Sequence, residues 1–178
     1  MRRAHPLTPV VLEINVLVAA VVGQDLEAAF ESWPSSPLLH GDPSANTLGV
    51  LNDAVEFSLW LSPQILDGTK IVLRQFYRWS NTRAARYERA LQRIATRSGG
   101  DVVVPTEAVA DCADWEDNRI LELALAAGAL MIVSSDDDLL RVSPWRGIAI
   151  VAPQVFVQRV DAMRRARARQ ERRLRPEA

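Results

Sequence analysis

The chain has 178 residues, 48% of them hydrophobic and 24% charged, with a formal net charge of -1. That length and balance describe one globular domain with room for a substantial core, and exclude a disordered or fibrous chain. The single cysteine, Cys112, excludes an internal disulfide and fits a reducing compartment, while His5 and His40 lie too far apart for a zinc-ligand pattern.

In chain order, the start MRRAHPLTP carries a basic pair, and the apolar run Val10 to Val22 (VVLEINVLVAAVV) has the character of a signal-peptide core. Glu13 and Asn15 interrupt that core, and no clean small-residue cleavage pattern follows. No apolar run reaches the roughly 18 residues needed to span a membrane. The chain therefore reads as cytoplasmic with no membrane partner, and the run as a buried parallel strand entering a helix through Ala19 and Ala20. The stretch FESWPSSPLLHGDPSAN, rich in Pro, Ser and Gly, reads as a loop. SANTLGVLNDAVEF follows as a helix with Ser44 or Asn46 as N-cap.

FSLWLSP reads as a short strand stopped by Pro63. The next helix, in SPQILDGTKIVLRQFYRW, has Ser62 as N-cap and Pro63 at its first position, where a missing N–H does no harm. TRAARYERALQRIATRSGG is a further helix closed by its glycine pair, and DVVVP a short strand or an extended connector. DWEDNRILELALAAG is a helix ended by Gly128, ALMIVSS a strand, DDDLLRV a short helix or turn, and GIAIVAP a last strand. PQVFVQRVDAMRRARARQERRL is a terminal helix. Strands alternating with helices predict an α/β fold with a central parallel sheet covered on both faces. No glycine pattern matches a dinucleotide fingerprint or a phosphate loop, which argues against a nucleotide cofactor.

Ligands in open parallel sheets bind outside the carboxyl ends of the strands, and three groups of acids fall there. Glu13 is near the end of the first strand, Asp136, Asp137 and Asp138 follow LMIVSS, and Asp114, Glu116 and Asp117 open the helix leading into that strand. Acids in a first helical turn also complement the helix dipole, and an Asp after a strand is a common cap. Glu13 is harder to explain that way, because burying a carboxylate costs several kcal/mol unless it is paired, hydrogen-bonded or metal-bound. Carboxylates around one crevice repel each other unless a cation is present, and magnesium or manganese prefer oxygen ligands. The implied chemistry is metal-assisted phosphodiester hydrolysis.

The order of these pieces resembles the PIN-domain family, in particular bacterial VapC-like toxin ribonucleases. Relatives open with L-D-T-N-V-L-V, here Leu12 to Val18; they carry D-x-x-D-[DN]-x-[IF]-L-E-x-A, here DWEDNRILELA. They then have I-V-[ST]-G-D-x-D-L-L, here IVSSDDDLL, and a G-I-x-I-[VL]-x-P strand, here GIAIVAP. The resemblance implies a three-layer α/β/α sandwich over residues 1–158, followed by a basic helix or tail at 159–178. It also implies RNA cleavage with Mg2+ or Mn2+. By position, Glu13, Asp117 and Asp136 are the expected catalytic metal ligands, with Asp138 assisting through water. Asn15 and Ser134 are supporting residues, Asn15 orienting the first acid or its loop.

This chain departs from that pattern. Glu13 stands where relatives have aspartate, and its extra methylene moves the carboxylate by roughly 1.5 Å, a large change for the strict octahedron of magnesium. Ile14 replaces a small hydroxyl residue, and Gly68 stands where relatives have a catalytic glutamate. Asp67 is the adjacent carboxylate, but one residue along a helix points about 100° away, so it substitutes only with a shifted helix start. Gly68 also weakens its helix by about 1 kcal/mol relative to alanine.

Two functions are open on the sequence. One is the toxin endoribonuclease of a toxin–antitoxin pair, with a weakened site, an RNA substrate and a cognate antitoxin. The other is a catalytically inactive PIN-fold protein that binds RNA or a partner. The tail RVDAMRRARARQERRLRPEA, with eight arginines against three acids, suits RNA, an antitoxin or a homodimer equally, or simply a solvated helix. Trp60 and Trp79 read as core, Trp115 as the tryptophan placed to meet a substrate, and Cys112 as a small packed residue.

Overall fold

The computed structural model describes residues 7–22 and 41–174. The Pro- and Ser-rich loop that the sequence predicts falls, except for its end at Gly41 to Asn46, outside the described residues. Four strands, β1 (Thr8–Leu12), β2 (Phe57–Trp60), β3 (Met131–Val133) and β4 (Ala149–Val151), form one sheet in the order β2-β1-β3-β4. Every pairing is parallel, with Leu12 level with Val133 and Val133 with Val151. Among the described residues seven helices accompany them. They are α1 (Ile14–Ala19), α2 (Pro43–Asp53), α3 (Pro63–Tyr77), α4 (Asn81–Arg97), α5 (Trp115–Ala126), α6 (Asp137–Arg141) and α7 (Pro153–Leu174).

The β-branched run of β1 sits in the middle of the sheet because it is apolar toward both faces: Val10, Val11 and Leu12 are fully buried. α2 and α4 pack on β2, and α5 packs on β1 and β3. The result is the α/β/α sandwich that the sequence predicts. DVVVP contributes one parallel bridge, Leu61 to Val102, which extends the sheet past β2 without becoming a named strand.

Helix boundaries follow their caps. Ser62 Oγ accepts from Ile65 N and Ser80 Oγ from Arg83 N, opening α3 and α4. The N-cap of α2 is a correction: neither Ser44 nor Asn46 caps it. Asp42 does, accepting from Ser44 N and Ala45 N, because Pro43 takes the first helical position and moves the start upstream. The glycine pair after α4 does two different jobs. Gly99 takes φ +79°, and Gly100 lies so close to β2 that an added Cβ would meet Leu59 O at 1.8 Å.

α1 is short, so outside contacts hold it. Tyr87, fully buried in α4, donates its hydroxyl to Leu17 O at 2.7 Å. That bond ties the helix beginning beside Glu13 to the rigid core. α7 is continuous across residue 158, with Phe156 and Val160 buried and Phe156 packed on Phe57. No described helix is long and apolar enough to cross a membrane.

Candidate active site

β1 and β3 end level, and Glu13 N donates to Val133 O at 3.0 Å. The next residue on each strand therefore meets its neighbour across the sheet: Glu13 from β1 and Ser134 from β3. Glu13 is only 7% exposed, and its carboxylate is fully engaged. Oε1 accepts from Asn15 Nδ2 at 2.7 Å, while Oε2 accepts from Ser134 Oγ at 2.7 Å and from Ser135 N at 3.0 Å. Three donors explain how an apolar run tolerates an acid. The glutamate arm is long enough to reach β3's end from β1's.

Ser134 is the joint of the site. Its buried hydroxyl donates to Glu13 and accepts from Asp136 N at 2.9 Å. Asp136 in turn caps α6, accepting from Asp138 N at 2.7 Å. Asp138 points outward, paired with Arg141 and largely exposed.

Asp117 comes from the first turn of α5. That start is fixed by Asn118, which accepts from Cys112 N and donates to Cys112 O and Asp114 O, and by Asp114, which accepts from Glu116 N. Asp117 is 8% exposed, and among the described residues no group donates a hydrogen bond to its carboxylate. Burial pushes its pKa up to about 6, helped by the charges of Asp136, Asp114, Glu13 and Asp138. Burial and the same acidic neighbourhood also push the Cys112 thiol up, which lowers its thiolate fraction.

These groups share a cleft of about 430 Å³ between α1, α3 and α5. Its polar lining includes Glu13, Asn15, Asp114, Glu116, Asp117 and Asp136. Its apolar lining includes Ile14, Ile65, Ile71, Val72 and Ile120, together with Trp115, which is 63% exposed. Arg119 lies 5.4 Å from the Trp115 ring and pairs with Glu122. Asp67 reaches the rim, but its carboxylate pairs with Lys70 at 3.0 Å, and Lys70 also pairs with Glu88. Gly68 faces Ile14: a Cβ there would stand 2.5 Å from Ile14 Cδ1.

Glu13, Asn15, Ser134, Asp117 and Asp136 thus come together, while Asp138 and Asp67 are turned to cationic neighbours. Sequence reasoning missed Asn118 and the Ser135 backbone N–H. The first could be found in the D-N pair that opens α5; the second carries no side-chain signal at all.

The donor set suits a hard divalent cation, being all oxygen with one buried carboxylate lacking any counter-group. Convergence is looser. Among the described residues no three acidic, histidine or cysteine side chains gather closely enough to hold one ion as they stand. Glu13 already accepts three hydrogen bonds, from Asn15, Ser134 and Ser135. Asp117 and Asp136 line the same cleft.

In comparison with known families, a model described as PIN domain matches residues 9–138. The span runs from β1 into α6 and includes every acid named above. No curated protein matches the chain.

Proposed function

The chain belongs to the PIN-domain family, a family of nucleases, and from that premise we propose that it is a metal-dependent endoribonuclease with a weakened active site. In this reading it is the VapC-like toxin of a toxin–antitoxin pair, cytoplasmic and restrained by a cognate antitoxin. The observation that carries the reading is Asp117, a buried carboxylate without a hydrogen-bond donor among the described residues, facing a cleft it shares with Asp136 and Glu13. Such a group calls for a cation.

Asp117 and Asp136 would hold Mg2+ or Mn2+, with Glu13 as a third, weaker ligand, while Asp138, expected on sequence to assist through water, is turned outward to Arg141. When bound, the ion supplies Lewis acidity toward a phosphodiester and the water that attacks it. The chain's own residues set the stage. Ser134 fixes the spacing of Glu13 and Asp136, Asn15 holds one oxygen of Glu13, and the Trp115 ring offers a base a stacking face at the mouth.

A second reading, the inactive PIN-fold protein that binds RNA or a partner, is favoured by Ile14 covering Gly68 and by the engaged Glu13. Incubating the purified chain with RNA in Mg2+, in Mn2+ and in chelator separates the two. Cleavage that stops with chelator supports the nuclease. RNA bound but intact in every metal supports the binder.

A further inference from the structure

A second concavity lies at the other edge of the sheet. The acids stand at the carboxyl ends of the strands, whereas α2 enters β2 at its amino end. Between the last turn of α2 and the outer face of α4 is a groove of about 940 Å³. Arg89, Arg93 and Arg97 line it at four-residue spacing, all exposed. Four residues advance a helix by about 6 Å, so the row spans about 12 Å along one face. Arg89 and Arg93 make no ion pair or hydrogen bond among the described residues, and Arg97 acts on Asp53 only through its charge.

The floor of the groove supplies an independent observation. Asn52 is 4% exposed and lines the groove, yet its side-chain amide has no hydrogen-bond partner among the described residues. No fully buried side-chain polar atom among the described residues lacks a partner, so the unpaired amide of Asn52 opens into the groove, a polar group able to bond a ligand held by the three exposed guanidinium groups. Gln92 and Thr96 add polar atoms to the same wall.

We propose that this groove binds the phosphate backbone of single-stranded RNA, away from the acidic cleft. Guanidinium forks suit phosphate oxygens, and a regular row of them suits a polymer with a charge on every repeat. An acidic cleft repels phosphates, so the electrostatic attraction that dominates nucleic-acid affinity has to come from another surface. The proposal rests on the reading that RNA is the substrate, and adds where the rest of the strand is held.

The test is fluorescence anisotropy with a labelled single-stranded RNA of about 20 nucleotides, in chelator, between about 50 and 200 mM salt. The variant Arg89→Gln/Arg93→Gln/Arg97→Gln is compared with the charge-matched Arg169→Gln/Arg172→Gln/Arg173→Gln on α7. The groove variant is expected to bind at least about tenfold more weakly at low salt. Its log–log salt slope should be shallower by about two, at about 0.7 per phosphate contact. The α7 variant should stay within about threefold of the unaltered chain, because it leaves the three groove contacts in place.

Asn52→Ala, which removes no bond, should fold normally and also bind RNA more weakly. Groove-variant or Asn52→Ala affinity equal to that of the unaltered chain overturns the proposal, as does an equal loss in the α7 variant. So does displacement of the RNA by polyglutamate of matched charge, which would make the groove a site for acidic protein. Chelator separates this test from catalysis. Uncut RNA that still needs the three arginines leaves the groove standing without the nuclease, and cutting with unchanged affinity does the reverse.

Discussion

Ile14 Cδ1 occupies the space beside Gly68, 2.5 Å from where a Cβ on that glycine would stand. The two departures from the family pattern are therefore one packing unit: the large apolar residue fits because the helix opposite has no side chain. Gly68→Ala should gain about 1 kcal/mol of helix propensity but lose most of it to the displaced Ile14. In an Ile14→Val background, which lacks the contacting methyl, the same change should stabilise fully. Urea denaturation of the four chains tests this, with a coupling of about 0.5–1 kcal/mol expected. Gly68→Glu alone should then restore little cleavage, and Ile14→Thr with Gly68→Glu considerably more.

Glu13→Asp shortens the arm that reaches Ser134 and Ser135. Losing these charge-assisted bonds should cost about 1.5–3 kcal/mol, seen as a lower thermal midpoint. The freed carboxylate moves toward Asp117 and Asp136, so Mn2+ affinity should rise while stability falls. A variant that loses both stability and metal affinity would mean Glu13 binds best as it is.

Asp117 titrates near 6 when folded, against an ordinary value of 3.8. The folded chain thus holds this proton more tightly than the unfolded chain, and stability falls as pH rises from about 4 to 6. The shift corresponds to at most about 3 kcal/mol. Asp117→Asn should therefore be more stable than the unaltered chain at pH 7 by about 2 kcal/mol and equal to it near pH 3.5. Metal affinity of the unaltered chain should drop below pH 6, as protons compete for the same carboxylate. Thermal midpoints and Mn2+ titrations across that range check both.

Arg164 anchors the basic helix, bonding Glu56 through Nε and Nη2 and Asp53 through Nη1. Burial pushes the Asp53 pKa up, and the guanidinium draws it back. Arg164→Gln should cost about 2–3 kcal/mol, below the roughly 3–5 kcal/mol for breaking a fully buried pair, because Arg164 is partly exposed. Hydrogen exchange should quicken across α7 while β1 and β3 stay protected. Uniform exchange across the chain would contradict a local anchor.

The strands were legible because β-branched apolar runs such as Val10 to Leu12 and Ile132 to Val133 have one good use in a parallel sheet. Cap residues next to prolines were legible for α3, where Ser62 directly precedes Pro63. They were misread for α2, where Asp42 precedes Pro43 in the same way but sits at the end of a run read as loop. The meeting of Glu13 with Ser134 was not legible: it depends on β1 and β3 being neighbours in register, a long-range fact carried by no local pattern. Nor could sequence show that Ile14 and Gly68 touch, since they lie on α1 and α3.

The proposed cation site is tested most directly by titrating Mn2+ calorimetrically into the unaltered chain and into Asp117→Asn, with RNA cleavage followed in the same samples. The unaltered chain should bind one ion weakly and cut RNA only as the ion binds, and Asp117→Asn should lose both. RNA cut in chelator, or ion binding and cleavage that survive Asp117→Asn, would contradict it.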